Sequence, residues 1–303
     1  MERRFDRSAE DLGNIVALEH VNVTVPDQQQ ATIFYIAGLG LTRDPYLMTG
    51  PTNMWVNVGR SQFHLPTSPA QVLRGHTGIV VPDREALVRR LERTRKRLEG
   101  TRFDFSEHEE FVEATCPWGN RIRCYAPDER FGRITLGIAY VEFDVPKGAA
   151  DGIARFYRNV IGAKAAASVE GAGNKTAKDD NENGRTARVE VGIGQYLMFR
   201  ETDREISPYD GHHIQIYVAD FSGPYAKLLN KGLISEESDQ HQYRFKDLAD
   251  PETGETLFTI EHEVRSMRHP LFMRPLVNRN PSQSNIDYAP GYDAWIPGMA
   301  AHD

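Results

Sequence analysis

Histidines occur in three segments whose residues alternate as those of a half-buried strand do. His20 opens "HVNVTVPD", His64 stands within "SQFHLP", and His76 opens "HTGIVVPD". Side chains two residues apart lie on one face of a strand, so Phe63 and Leu65 are expected on the face opposite to His64. Three neutral imidazoles can bind a divalent transition metal and leave positions open for a substrate. The alternative for each histidine is a hydrogen-bonded structural role, which is the commoner one for a lone histidine on a strand.

These segments belong to an internal repeat. The pattern H-x-x-x-x-V-P-D covers 20–27 and 76–83, and weaker copies cover 140–146 and 213–220. A helix is predicted after each of these strands, followed by three shorter strands. The unit of strand, helix and three strands therefore occurs four times, at 16–66, 72–126, 134–200 and 211–264.

The first and third predicted helices share a finer pattern. F-Y-x-x-x-L-G at 34–40 corresponds to F-Y-x-x-x-I-G at 156–162. The aromatic residues are expected to pack the helix on its sheet, and the glycine to end it. The repeat and this pattern together resemble the vicinal oxygen chelate superfamily, which contains glyoxalases, extradiol dioxygenases and bleomycin-binding proteins. The resemblance spans 16–264.

The resemblance implies an α+β fold in which four βαβββ units pair into two open, cup-like mixed sheets. In that family, metal ligands project into a cup from the first and last strands of the units. Consecutive units are expected to pair, so that the first domain holds the metal site and the second is structural or covers the substrate. The predicted parts are an N-terminal extension at 1–15, the first domain at 16–127, the second domain at 128–264 and an extended C-terminal tail at 265–303.

The same resemblance assigns residues to the site in the first domain. His20 and His76 match first-strand ligand positions, and His64 stands at a last-strand position that the family usually fills with glutamate. Arg123 occupies the fourth position, where it either pairs with Glu113 or acts as a catalytic residue that holds an anionic substrate. Other residues of these strands are predicted to line the substrate cavity, with core packing as the alternative for the tryptophan: Asn22, Trp55, Asn57, Gln62 and Arg121.

The second domain matches the ligand pattern less well. Three of its four ligand positions hold residues that are not typical metal ligands, namely Tyr140, Leu197 and Phe258. An off-register site of Glu142, His213 and His262 is the alternative. Glu261 has the wrong parity in this register, and a slip of one residue would reverse that.

Three classes of function follow from the predicted site. A metal-dependent oxygenase is favoured, in which Fe(II) holds a small anionic substrate through two adjacent oxygens; Zn, Mn, Ni and Cu are the alternative metals. The extradiol enzymes that the chain resembles use two histidines and a carboxylate, which the predicted site lacks. A glyoxalase-like isomerase or lyase is the second class, although no glutamate is predicted in the first cup to move a proton. The third class is a metal-free protein that binds a small molecule.

Composition argues against several other classes of protein. The net charge of −7 disfavours nucleic-acid binding, and the basic run "RRLERTRKRLEG" has the helical spacing of a solvated helix face. The sequence contains no run of about 18 apolar residues, so no membrane span is predicted. Only Cys116 and Cys124 are available for disulfides, so a cytoplasmic location is expected.

Residues 168–186 are predicted to be a mobile insertion. The C-terminal tail is predicted to wrap the surface, or a neighbouring subunit of a homo-oligomer, with Trp295 as its anchor.

Overall fold

The computed structural model describes residues 5–47, 50–169 and 184–281. The strands of the first two units are β1 (Ile15–Asn22), β2 (Thr42–Arg43), β3 (Asn53–Val58), β4 (Ser61–Pro66), β5 (Gly75–Val80), β6 (Asp104–Glu107), β7 (Phe111–Thr115) and β8 (Arg121–Tyr125). Those of the last two are β9 (Gly137–Pro146), β10 (Ala165–Val169), β11 (Arg185–Gly192), β12 (Gln195–Thr202), β13 (His213–Val218), β14 (Ile234–Asp239), β15 (Gln242–Ala249) and β16 (Thr256–Ser266). The predicted α+β fold of four βαβββ units is confirmed.

A helix follows the first strand of each unit. The α-helices are α1 (Gln28–Ala31), α2 (Arg84–Thr94), α3 (Ala149–Phe156) and α4 (Ser222–Asn230). π-Helical turns extend α1 and α3 over Thr32–Gly38 and Tyr157–Ile161, and short 3-10 helices cover Arg7–Glu10, Arg95–Leu98 and Glu129–Phe131. The aspartate of each V-P-D pattern caps the next helix: Asp27 accepts from the backbone N–H of Gln29 at 2.7 Å, and Asp83 from that of Ala86 at 2.8 Å. The repeated pattern is therefore a strand end joined to a helix start.

The strands form two mixed sheets of eight strands each. The first sheet has the order β14-β15-β16-β13-β1-β4-β3-β2, and the second has the order β10-β11-β12-β9-β5-β8-β7-β6. The first strands of two units meet in antiparallel pairs at the centre of each sheet, β1 with β13 and β5 with β9. The first unit is thus paired with the fourth, and the second with the third.

This pairing corrects the predicted division of the chain into 16–127 and 128–264. All four first strands have the same alternating pattern, so the repeat identifies the units without identifying their partners. The glycines of β5 favour the observed partner, because a Cβ at Gly75 would overlap the backbone of Glu142 and one at Gly78 would overlap the ring of Tyr140. Only a strand without side chains at these positions allows β9 to approach so closely.

One apolar core contains residues from both sheets and from the helices. Phe34 and Tyr35 of the first unit and Phe156 and Tyr157 of the third are fully buried in it, as the shared F-Y pattern predicts. The apolar strand residues of β1 and β4 point into the same core. Successive side chains of a strand point to opposite faces, so the polar residues between them occupy the far face of each sheet. That face carries the histidines of interest.

The segment after β16 lies along the first sheet. The side chain of Asn278 donates to the carbonyl of Gly59 at 2.8 Å, and Arg274 pairs with the buried Asp44 at 2.8 Å. The described residues adjoining the predicted mobile insertion are paired strands, with Ser168 opposite Thr186. The rest of that insertion, 170–183, and the predicted anchor Trp295 lie outside the described residues. In the part of the chain that the structure covers, no helix has the length and hydropathy needed to cross a membrane.

Candidate metal centre

The first strands of the first and fourth units bring two histidines together. In the antiparallel pair of β1 and β13, His20 lies opposite Gln215, and Asn22 lies opposite His213. The two histidines are therefore diagonal neighbours on one face of the first sheet, and their ring centroids are 5.8 Å apart. Since His20 and His213 occupy the same place in their repeats, they are related by the approximate two-fold symmetry of the sheet.

A carboxylate from the last strand of the fourth unit completes the cluster. β16 runs parallel to β13, with Glu261 beside His213 and Glu263 beside Gln215. One ligand atom from each of His20, His213 and Glu263 lies within 4.8 Å of the others, and all three residues are buried. Two imidazoles and one carboxylate are a donor set for iron, zinc and related divalent ions.

Several polar atoms of the cluster lack partners among the described residues. Neither ring nitrogen of His20 makes a hydrogen bond, nor does Nε2 of His213. The amide of Gln215 and Oδ1 of Asn22, on the same face, are also without hydrogen bonds. Buried polar atoms of this kind cost free energy unless a partner satisfies them, and native proteins contain few. The cluster therefore has the character of a binding site for a cation and polar ligands.

Two arginines balance the carboxylates around this cluster. Arg265 contacts Glu263 at 2.6 Å and Glu19 at 3.0 Å, and Arg244 contacts Glu263 at 2.5 Å and Glu261 at 2.7 Å. Glu19 lies at a bulge of β1, which brings its carboxylate within 3.5 Å of Nδ1 of His20. A carboxylate oxygen has two lone pairs, so Glu263 can keep its arginine partners while facing a cation.

His64 and Trp55 form one wall of the site. The His64 ring stacks on the indole of Trp55 at 3.8 Å, and the indole meets the ring of His20 edge-on at 5.0 Å. His64 and Glu263 occupy equivalent positions in their units. His64 lies beside Asn22, two residues after His20, and Glu263 lies beside Gln215, two residues after His213. Its Nε2 is 2.8 Å from Oδ1 of Asn53, which holds the ring toward the outer strands. His64 and Trp55 thus border the cluster of His20, His213 and Glu263 through their contacts with the His20 ring.

Asn22 lies within the site, whereas two other predicted lining residues belong to a neighbouring polar network. Gln62 donates to Asn57 at 2.7 Å and to Asp44 at 3.2 Å. Asn57 donates in turn to the backbone carbonyl of Val277 at 2.8 Å. Asn57 and Gln62 therefore tie the first unit to the segment after β16, rather than facing a substrate directly.

The structure does not bring His76 to this site, which corrects the predicted three-histidine centre. His76 lies on the second sheet, where Nε2 is 3.0 Å from the hydroxyl of Tyr140 and Nδ1 is 3.8 Å from Glu142. Glu142 in turn pairs with Arg200 at 2.9 Å. The reason is the unit pairing, because β5 joins β9 instead of β1. The polar face of the second sheet around His76 is filled by its own side chains.

The predicted arginines lie on the second sheet as well. Arg123 donates to Glu113 at 2.9 Å and lies over the ring of Phe111, which is the structural alternative considered for it. Arg121 donates to the backbone carbonyl of Gly75 at 3.3 Å. Neither arginine can orient a substrate over His20 from the other sheet.

The register of β16 explains why Glu263 was missed as a ligand. The prediction placed the ligand position at Phe258, but β16 extends to Ser266, and Phe258 packs in the core. His262 also points to the core, where its Nε2 contacts the hydroxyl of Tyr157 at 2.5 Å. The off-register site of Glu142, His213 and His262 is thus divided between the two sheets and the core. The available signal was the alternation of the charged Glu261, Glu263 and Arg265 with Ile260, His262 and Val264, which face the core.

Burial keeps the histidines of the site neutral. Desolvation holds the pKa of His20 and His213 well below 6.5, and desolvation together with the nearby His20 lowers the pKa of His64 to about 2. Burial raises the pKa of Glu263, while Arg265 and Arg244 act in the opposite direction. A neutral imidazole is the form that binds a metal ion.

Acidification is expected to destabilise the metal-free protein between about pH 7 and pH 5. Burial holds the pKa of His76 well below 6.5 and lowers that of His262 to about 4, so the unfolded chain takes up these protons at higher pH than the folded one. Below the unfolded pKa, each such histidine should lower the free energy of unfolding by about 1.4 kcal/mol per pH unit. Urea titrations of the wild type and of His262→Phe measure this slope, which the substitution should reduce. Equal stability across the range would contradict the expectation.

Comparison with solved structures agrees with this architecture. The structure is similar to glyoxalase I from Zea mays, with a TM-score of 0.56 and 11% identity over 86% of this chain and 95% of that chain. It is also similar to a protein from Bacillus subtilis named "putative dioxygenase", with a TM-score of 0.53 and 16% identity over 84% of this chain and 86% of that chain. No protein-family model and no curated protein sequence matches the chain. The chain has the vicinal oxygen chelate fold.

Proposed function

We propose that the protein is a metal-dependent enzyme whose divalent cation is bound by His20, His213 and Glu263. The observation that carries the proposal is that both ring nitrogens of the buried His20 and Nε2 of the buried His213 make no hydrogen bond within the described part of the chain, although the carboxylate of Glu263 lies beside them. Two histidines and one carboxylate are the ligand set of many non-haem Fe(II) oxygenases. Iron is therefore the metal we favour.

Charges around the site favour an anionic substrate. The carboxylates of Glu19, Glu261 and Glu263 face the guanidinium groups of Arg244 and Arg265. Three negative and two positive groups leave one negative charge, which a divalent cation would convert to one positive charge. At the edge of this network, the half-exposed ammonium of Lys246, 3.6 Å from Glu261, offsets the half-exposed carboxylate of Glu236, 3.7 Å from Arg244. A small anion would enter such a site more readily than a cation.

Dioxygenase chemistry on a substrate with two adjacent oxygens is the reaction that we favour. A bound Fe(II) would supply open coordination positions for those oxygens and for dioxygen. The stacked rings of His64 and Trp55, next to His20, are flat surfaces against which an aromatic substrate ring could pack. The neutral imidazole of His64 can hydrogen-bond a substrate hydroxyl, and the buried setting excludes water from it.

A glyoxalase-like isomerase or lyase is the second candidate, and one observation favours it. It is supported by the contact of Glu261 with the cluster, since Oε1 of Glu261 lies 3.7 Å from Nδ1 of His213. A carboxylate there could take a proton from a carbon next to a metal-bound carbonyl. The sequence prediction had no glutamate in the site for this step.

Oxygen dependence separates the two candidates. Protein loaded anaerobically with Fe(II) is expected to consume dioxygen when 3,4-dihydroxybenzoate, an anionic catechol, is added, and to open its ring. Glu263→Gln should reduce this rate by at least about 100-fold, since it removes the charged ligand. His76→Ala is the matched control from the second sheet and should retain the rate. Oxygen-independent exchange of the C–H proton of an α-hydroxy ketone with solvent deuterium, without oxygen uptake, would favour the isomerase instead.

A further inference from the structure

A cavity of about 400 Å³ lies away from the metal cluster, between the helix of the first unit and α2. Its apolar floor comes from the π-helical turn that follows α1, through Ile33, Ile36 and Ala37. Four arginines line it: Arg90, Arg93 and Arg97 from α2 and the turn after it, and Arg279 from the segment after β16. A cavity of this volume can hold a small organic molecule.

The four arginines differ from their neighbours in having no carboxylate oxygen within 4 Å among the described residues, although Asp83 acts on Arg90 from farther away. Elsewhere on α2 and on the 3-10 turn that follows it, Arg89 pairs with Glu85 at 3.6 Å and Arg95 pairs with Glu92 at 3.1 Å. Residues 90, 93 and 97 are spaced by three and four, so their side chains lie on one helix face. Like charges at this spacing repel, and the helix would be more stable without them. One face of the basic run therefore borders the cavity, with Arg90 partly buried and Arg93 and Arg97 exposed at its rim.

Local carbonyl groups satisfy only a small part of this charge. Arg279 donates to the carbonyl of Ile36 at 3.0 Å, and Arg90 donates to that of Leu39 at 3.4 Å. A helix C-terminus carries about half a negative charge. Four guanidinium groups therefore keep a large positive excess. The buried Nε of Arg90 makes no hydrogen bond, and a side chain at Gly40 would overlap this guanidinium, so the glycine leaves room for it.

We propose that this cavity binds a small molecule that carries a phosphate group and an apolar part. The planar guanidinium fork matches phosphate oxygens in pairs, and four such groups suit a dianion. The apolar part would contact Ile33, Ile36 and Ala37. Inorganic phosphate has no apolar group and would not make these contacts. The cavity is thus a ligand site separate from the metal cluster.

Calorimetric titration with phenyl phosphate and with inorganic phosphate, at constant ionic strength, tests the proposal. Phenyl phosphate is expected to bind with one site per chain and at least about tenfold more tightly than inorganic phosphate. The double substitution Arg93→Gln and Arg97→Gln should weaken binding of phenyl phosphate by at least about tenfold. Arg89→Gln with Arg95→Gln removes the same charge from the same basic run, 89–97, and should leave the affinity within about threefold.

Equal weakening by the two double variants would show a general charge effect and overturn the site. The site would also be overturned if no binding were detected at about 10 mM phenyl phosphate, since the affinity would then be negligible. The titration is repeated on His213→Ala, whose metal cluster is disrupted. Unchanged binding there is expected, and loss of binding would assign the phosphate to the metal cluster and refute the separate site.

Discussion

Replacing His213 by alanine is expected to weaken binding of a divalent metal by at least about 100-fold, because one of three proposed ligands is lost. His213 faces the polar side of the first sheet and makes no ring contact with the apolar core, so the variant should remain folded. Elemental analysis of protein purified without chelator gives the stoichiometry. Equilibrium dialysis against Zn²⁺ gives the affinity.

His76→Ala is the matched control for this substitution. His76 holds the same place in its repeat as His20 but lies on the second sheet, beside Tyr140 and Glu142. We expect it to keep the wild-type metal content. Equal loss of metal in both variants, or in neither, would contradict the assignment of the site to the first sheet.

Replacing Arg265 by methionine is expected to lower the free energy of unfolding of the metal-free protein by about 3–5 kcal/mol. The substitution leaves two buried carboxylates, those of Glu19 and Glu263, without the cation that now contacts both. Removing one partner of a buried ion pair costs more than the pair itself contributes, because a charge remains desolvated. Urea unfolding at neutral pH measures the change.

The exposed pair of Arg89 and Glu85 provides the comparison for Arg265. Its side chains are 58% and 89% exposed, so Arg89→Met should change stability little. A second variant, Arg265→Met with Glu19→Gln, should recover part of the loss because one uncompensated charge is gone. A loss under about 1 kcal/mol for Arg265→Met would show that the ion network contributes little to stability.

The units of this fold could be predicted from the sequence, but their pairing could not. Alternation, the V-P-D helix caps and the two F-Y patterns are local signals, and each was followed by the expected element. Which first strands meet at the centre of a sheet is decided by contacts between residues far apart in the chain. Gly75 and Gly78 show how such a contact is made, since they admit β9 against β5.

The error in pairing accounts for the errors in the site. His20, His64, Asn22 and Trp55 were assigned to the correct face of the first unit, because parity within one strand is enough to do so. His76 and Arg123 were assigned to the same cup only because consecutive units were assumed to pair. Unit four supplied His213, Glu261 and Glu263 instead. The predicted register put the ligand position at Phe258, which has the opposite parity to Glu261 and Glu263, so both glutamates were assigned to the wrong face.

The presence of a metal ion between β1, β13 and β16 can be tested most directly by anomalous diffraction from a crystal loaded with Fe(II) under nitrogen or with Zn²⁺. The expected result is one strong peak on the first sheet, about 2.0–2.2 Å from a ring nitrogen of His20, a ring nitrogen of His213 and a carboxylate oxygen of Glu263. A bound metal whose ligands include His76, or only exposed residues, would contradict the proposed centre. So would an empty cluster in a crystal that holds the metal elsewhere.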